Sequence, residues 1–496
     1  MRQSSTGFFG HPRGLATLFF TEAWERFSYY GMKAILLYYM YDRVADGGLG
    51  MDSAQARSLV SVYGAAIYLA AIGGGWLSDR LLGPARSTLY GGILIMFGHL
   101  CLALPAGASA LYASMLFIVA GTGLLKPNVS TSVGDLYPEG DIRRDSGFTI
   151  YYMGISVGAL IAPIAVGTLG QEFDYHLGFG LAAIGMAAGL IVFVLGQRNL
   201  SERSKGPRNP LRRQDLSPVW IAVVVAIAAA IVITAVTGVL TAGLVVDGVS
   251  ALAIALPVAY FTVMLRSPRT TKVERARVRA YIPLFLAAVF FWIIQEQGAT
   301  VLAQYADEDT DLGALGFAIP SSWFQSVGSA VLILITPFFA TLWIRLARRD
   351  RQPSTPAKFG LGLLIAGLSY AVLVIPTLSE GKTNPLWLVL SFALVTVGEI
   401  CLSPIGLSAT TQLAPAAFAT QTMGLWLAAS AAGQGVSAQI VGLYSRESAP
   451  AYFGFIGAVA IVLGALLLVV APVMRRRLAA QLSSAGAPAT PEPHPR

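Results

Sequence analysis

Charge is scarce in this sequence. Asp, Glu, Lys and Arg make up 12% of its 496 residues, against roughly 25% in a soluble globular chain. Most of the chain must therefore face lipid or other apolar helices. Cysteine is scarcer: Cys101 and Cys401 are the only two, which excludes a disulfide framework and lacks metal-ligand spacing. Both read as small buried apolar residues. The four histidines, His11, His99, His176 and His494, are too scattered for a metal cluster, and His99 reads as packed on an apolar helix. There is no nucleophile–base pair and no nucleotide loop, which argues against an enzyme. Nor is a cleavable signal peptide expected. The first apolar run carries Glu22, Glu25 and Arg26, and no small-residue cleavage site follows it.

What is there is a succession of apolar runs. Windows of roughly 19 residues give spans near 16–41, 55–81, 87–106, 110–133, 146–171, 177–197, 217–239, 244–266, 281–305, 321–347, 358–378, 385–411, 418–444 and 451–474. Each approaches or exceeds the roughly 20 residues a helix needs to cross a bilayer. The expected fold is an all-α membrane protein with fourteen transmembrane helices. Residues 1–197 form a six-helix bundle, 198–280 basic linkers and a two-helix hairpin, and 281–474 a second six-helix bundle. Residues 475–496, ending in "SSAGAPATPEPHPR", read as a disordered tail.

The basic residues sit between particular spans, in "RNLSERSKGPRNPLRR", "RSPRTTKVERARVR", "RLARRDRQPS" and "RRRLAAQ". The intervening connections are short or acidic, such as "DEDTD". Loops rich in Lys and Arg are expected on the cytoplasmic side, which puts both termini inside a cell membrane. The net charge of +8 then marks topology and attraction to anionic lipid, not a nucleic-acid surface.

The first span breaks the apolar rule. Glu22, Glu25, Arg26, Tyr29, Tyr30 and Lys33 recur along one helical face, with Phe20, Ala23, Phe27 and Leu36 opposite. Charges inside a membrane are costly and usually line a functional pathway. Lys126, Glu296 and Glu399 add to them on the fourth, seventh and tenth spans of the two bundles. These are four acids against three bases, so one carboxylate lacks a fixed cation and can take up a proton more readily. The composition does not say which one. Paired six-helix bundles with a central polar site are the arrangement of a secondary transporter.

"EAWERFSYYGMK" has the E-x-x-E-R pattern of the proton-dependent oligopeptide transporters, a branch of the major facilitator superfamily. "GGGWLSDRLLGPAR", "GTGLLKPNVST", "SGFTIYYMGISVGALIAP", "FWIIQEQGAT", "IPSSWFQS", "GEICLSPIGLSATTQLAP" and "MGLWLAASAAG" resemble further blocks of that family, in order along nearly the whole chain. The resemblance implies a major facilitator fold with two additional central helices. It also implies import of di- and tripeptides by alternating access, driven by a proton gradient with no cofactor or metal, in a chain functional as a monomer.

By the same resemblance, Arg26 and Lys126 face the peptide carboxylate, and Glu399 faces its ammonium group from the other bundle. Glu22, Glu25, Arg26, Lys126 and Glu296 handle the proton. Tyr29, Tyr30, Tyr68, Tyr152, Ser156, Glu296, Gln325, Ser403 and Trp426 complete the substrate site. A loop with Asp79, Arg80 and Arg86 gates the cytoplasmic side, while the position of Lys33 two turns outward of Arg26 on the same face leads us to expect an extracellular gate of Lys33 with Glu296. Ser156, Gly328 and Gln434 depart from the pattern at positions where amides help hold the peptide backbone. The alternative reading keeps the scaffold and moves another small zwitterion, such as an amino acid, a modified peptide or a peptide-like natural product.

Overall fold

The computed structural model describes residues 6–138, 141–211, 241–314, 316–379 and 381–483. A two-stranded hairpin, β1 (Thr6–Phe8) and β2 (His11–Pro12), leads into α1 (Arg13–Tyr41). Then come α2 (Ser53–Leu77), α3 (Pro84–Ala103), α4 (Gly107–Asp135), α5 (Arg144–Glu172) and α6 (Tyr175–Gly196). The chain continues through α7 (Ala242–Arg266), α8 (Lys272–Glu296), the short α9 (Val301–Glu308) and α10 (Phe324–Arg348). It closes with α11 (Thr355–Thr377), α12 (Leu386–Leu413), α13 (Ala419–Ile440) and α14 (Ala449–Ser483). The expected span at 217–239 lies outside the described residues. Ten of the described helical segments are long and apolar enough to cross a membrane. Helix α1 is not among them; it carries Arg13, Glu22, Glu25, Arg26 and Lys33.

Glycines let the helices pack closely at equivalent places in the two halves. A methyl group on Gly91 of α3 would lie 2.5 Å from the carbonyl oxygen of Gly121 on α4. One on Gly362 of α11 would lie 2.8 Å from that of Gly398 on α12. Small residues serve this purpose in membranes because dispersion between close backbones holds helices together there. Pro127 adds a related device in α4. Lacking an N–H, it leaves the Gly123 carbonyl without its helical donor. That oxygen abuts Gly74 of α2, where a Cβ would approach to 2.0 Å.

Three elements differ from the sequence expectation. The span expected at 281–305 begins at Lys272, because Thr271 and Glu274 form a reciprocal capping box. It then breaks at a 3₁₀ turn, Gln297–Ala299, before α9. Gln297 is buried there, its Oε1 accepting from Tyr370 (3.0 Å) and Tyr452 (2.8 Å). Asp79 and Arg80 lie in a π-helical turn, Ser78–Leu82, that continues α2, while Arg86 begins α3. Only Gly83, at φ +80°, separates the two helices, so the expected loop is a tight helix–glycine–helix turn. Finally, α14 runs through Ser483, so residues 475–483 of the expected tail are helical.

Helix α7, the described member of the expected hairpin, bridges the two halves. Its Ala253 is buried with Ala65 of α2 and Ala431 of α13.

Candidate functional site

Helix α1 carries its charged face into the protein interior. Glu22, Glu25 and Arg26 are all buried. Arg26 Nε lies 3.2 Å from Glu22 Oε1 and 2.5 Å from Glu25 Oε2. Three polar atoms of this trio, Glu22 Oε2, Glu25 Oε1 and Arg26 Nη2, have no hydrogen-bond partner among the described residues. The guanidinium also lies 5.5 Å from the Tyr29 ring and 5.9 Å from that of Tyr30. Two turns further on, Lys33 Nζ donates to Glu296 Oε2 on α8 at 2.9 Å. This ion pair ties the charged face of α1 to the C-terminal half.

Two charges stand outside those pairs. Lys126 on α4 places its ammonium 4.1 Å from the Tyr68 ring centroid, a cation–π contact. Glu399 on α12 accepts from Gln295 Nε2 at 3.1 Å. Among the described residues, neither has an oppositely charged partner within ion-pair distance. The sequence balance of four acids and three bases resolves as follows: Arg26 serves two acids, Lys33 one, and Glu399 is the acid held only by an amide. Gln295, a residue not singled out from the sequence, therefore carries one of the site's informative contacts.

The other expected substrate residues come from α5, α10, α12 and α13. Tyr152 is 52% exposed. Ser156 donates to the Tyr152 carbonyl at 3.3 Å, a bond within its own helix. Ser403 lies one turn beyond Glu399 on α12 and is half-buried. Gln325 reaches across to the Ala34 carbonyl of α1 at 3.4 Å. Trp426 is buried inside the C-terminal half, its ring packed on Gly406 and 6.5 Å from Phe359. Gln434 is buried with its Oε1 against Gly64 of α2, where a Cβ would fall 1.6 Å from that oxygen. It lies in the α2–α13 seam, its Nε2 without a hydrogen-bond partner among the described residues. Gly328 offers no side chain, and a Cβ there would lie 3.2 Å from Thr396 Oγ1.

At the acidic end, away from the Arg-rich linkers, the halves are clasped. Tyr41 donates to Asp307 Oδ2 at 2.7 Å and Tyr38 to the Ala303 carbonyl at 3.2 Å. Trp323 Nε1 donates to Thr168 Oγ1 at 2.8 Å, and Gln171 bonds Ser321 and Ser322. Arg57 of α2 is fully buried and was not anticipated from the sequence. It donates to the carbonyls of Val441 (2.9 Å) and Tyr444 (2.8 Å) beyond the end of α13, and to Gln304. Asp309 adjoins this clasp, accepting from Tyr444 OH at 3.2 Å. Burial raises its pKa above the ordinary carboxylate value.

At the opposite end, Asp79 accepts from Asn209 Nδ2 (2.9 Å), and Asn209 N donates to the Asp79 carbonyl (3.0 Å). Leu211 N donates to the Arg80 carbonyl at 3.0 Å. Arg208 and Ser204 bond Asp135 at the end of α4 (2.6 and 3.1 Å). The linker after α6 is thus fastened to the turn that was expected to act as a gate. Arg86 is exposed.

Comparison with known proteins accords with this architecture. The model of the POT family matches residues 85–456. An uncharacterized transporter, YclF of Bacillus subtilis, is 54% identical, the match covering 95% of this chain and 96% of the relative. A di-/tripeptide transporter of Lactococcus lactis subsp. cremoris is 42% identical over 95% of this chain and 97% of its own. The solved structure of a peptide transporter POT in complex with sulfate superposes with a TM-score of 0.92 at 53% identity, covering 95% of this chain and 96% of that one. With its two helical halves around a shared charged region, a major facilitator fold, the chain belongs to the POT family.

Proposed function

We propose that this protein is a proton-coupled symporter that imports di- and tripeptides by alternating access. The observation that carries the reading is the pair of half-buried ions left over on opposite halves, Lys126 and Glu399. A short zwitterion supplies the two missing partners. Its carboxylate goes to Lys126 and to the unpartnered Nη2 of Arg26, and its ammonium group to Glu399. Tyr29, Tyr30 and Tyr68 wall this space, and Tyr152, Ser403 and Gln325 border it. Glu22 and Glu25 exchange pairing between Arg26 and a proton. Lys33–Glu296 and the clasp around Arg57 close the acidic end, which corresponds to an inward-facing state. The turn with Asp79, Arg80 and Arg86, tied to Asn209, governs the other end.

In this reading residues 1–197 and 281–474 are the two moving bundles, joined by the linkers and hairpin of 198–280. The monomer works in the cell membrane with the Arg-rich connections and both termini in the cytoplasm. The proton gradient is the only drive.

Uptake into proteoliposomes tests the reading, with and without an imposed proton gradient. A labelled dipeptide competes against free dialanine, its N-acetylated and C-amidated forms, and free amino acids. Gradient-driven uptake displaced by free dialanine and not by the capped forms is expected. Losing a charged partner in a desolvated site costs about 2–5 kcal/mol, whereas a neutral hydrogen bond contributes about 0.5–1.5 kcal/mol. Equal competition by capped and free peptides would refute the charge-based site. Stronger competition by amino acids would assign the scaffold to another small zwitterion.

A further inference from the structure

A groove on the C-terminal half lies outside the transport site. Its cavity is about 600 Å³, within the ~300–1,000 Å³ typical of ligand-holding clefts. Helices α8 and α14 form its walls and Leu363 of α11 lines it between them. Leu286 and Leu466 on the two walls are 52% and 56% exposed, so the groove opens laterally. The lining is apolar except for one side chain, Arg279, which is exposed and has no hydrogen bond or ion pair among the described residues.

The dimensions of the groove follow those of a leaflet. Below Arg279 the α8 lining runs to Phe290, about 16 Å at 1.5 Å per residue, and Ala276 continues it one turn outward. From Met474 back to Leu463 along α14 is the same length. Half of a ~30 Å hydrocarbon core is about 15 Å. Arg279 lies at the Arg-rich end, and the exposed Arg475 directly follows the lining residue Met474. A groove that is apolar for the depth of one leaflet and cationic at its outer end complements one kind of molecule.

We propose that this groove binds an anionic phospholipid of the leaflet on the Arg-rich side. An acyl chain lies between α8 and α14, and the headgroup phosphate meets Arg279 and Arg475. Basic pockets between helices at this depth recognise acidic headgroups, because the charge attraction adds to the burial of the chain. The site is separate from the Lys126–Glu399 region, so its test makes no use of transport.

The test is native mass spectrometry of the purified full chain with phosphatidylglycerol and phosphatidylethanolamine at equal mole fraction. One phosphatidylglycerol retained in preference to phosphatidylethanolamine is expected. Arg279→Gln should lower that preference about fivefold, the contribution of a single basic residue near an anionic headgroup. Arg279→Lys should keep most of it. Ala280→Phe, which fills the groove, should lower retention of both lipids. The proposal is overturned if the wild type retains both lipids equally, or if Arg279→Gln leaves the preference unchanged. It is also overturned if glycerol phosphate displaces the lipid as well as intact phosphatidylglycerol does, which would mark a simple anion site. A dimer that forms at the expense of the lipid adduct would assign the groove to a second copy instead.

Discussion

Arg26 divides one guanidinium between Glu22 and Glu25, and each acid keeps an oxygen without a partner among the described residues. A carboxylate in that condition is held weakly enough to change partners, which a fixed two-point pair is not. Glu25→Gln should therefore abolish uptake against a gradient and leave exchange of substrate across the membrane in place. Accumulation at the wild-type rate would remove Glu25 from the coupling role. Position 328 offers a complementary change. Gly328→Asn would restore an amide, provided Thr396 Oγ1, 3.2 Å from the new Cβ, yields by a few tenths of an ångström. Affinity for true peptides should then rise over analogues whose peptide bond is replaced by a linker of similar length. Competitive uptake at fixed pH, with no change in that ratio, would show that residue 328 does not read the backbone.

Helices α1 and α8 are joined by Lys33 and Glu296, whose side chains are only 15% and 12% exposed. Removing one member of a half-buried pair strands the other charge, so each single neutral variant should lose more than its share. The double variant Lys33→Met/Glu296→Gln should recover part of the transport lost by either one. Strictly additive losses would leave Lys33 as a side chain stretched toward the membrane surface. Between α2 and α13 the joint is Arg57, whose charged donors satisfy carbonyls at a helix end, where the dipole favours a cation. Hydrogen bonds from a charged group contribute about 1.5–3 kcal/mol each. Arg57→Ala should therefore loosen the acidic end and speed alkylation of a cysteine placed at Ser321 in a background lacking Cys101 and Cys401. An unchanged labelling rate would leave the clasp to Tyr41, Gln171 and Trp323 alone.

For the whole molecule, the clasp links conformation to pH at the acidic end. Burial raises the Asp309 pKa in the clasped form, whereas an Asp309 exposed by opening would return toward its ordinary value near 3.9. The clasped form binds that proton more tightly. Its cost from this group is present when the pH exceeds the raised pKa and fades as pH falls through it. Acidifying that side should slow cysteine labelling at position 321, and Asp309→Asn should flatten the dependence. A dependence unaltered in the variant would assign the titration to another group. The bundles move against each other only if their seams separate, and the seams differ. Gln434 meets the bare backbone of Gly64, while Lys33, Arg57 and Tyr41 close their contacts with directional bonds.

From the sequence alone one could read the helical membrane class, the apolar spans and the charged face of α1. These are properties of periodicity and composition, which the bilayer imposes on the chain directly. The position of Lys33 two turns from Arg26 also followed from helical geometry. The Lys33–Glu296 pair, expected from the sequence, joins residues 263 positions apart in the chain. Tertiary structure alone decided which cation is left over: Lys126 faces the Tyr68 ring, with no acid within ion-pair distance among the described residues. It also decided that Gln295 holds Glu399, that Trp426 packs on Gly406, and that Arg57 caps a helix of the other half. Each depends on which helix lies alongside which. That is set by close backbone contacts such as Gly74–Gly123 and Gly362–Gly398, and a hydropathy pattern records which faces are apolar without recording their neighbours.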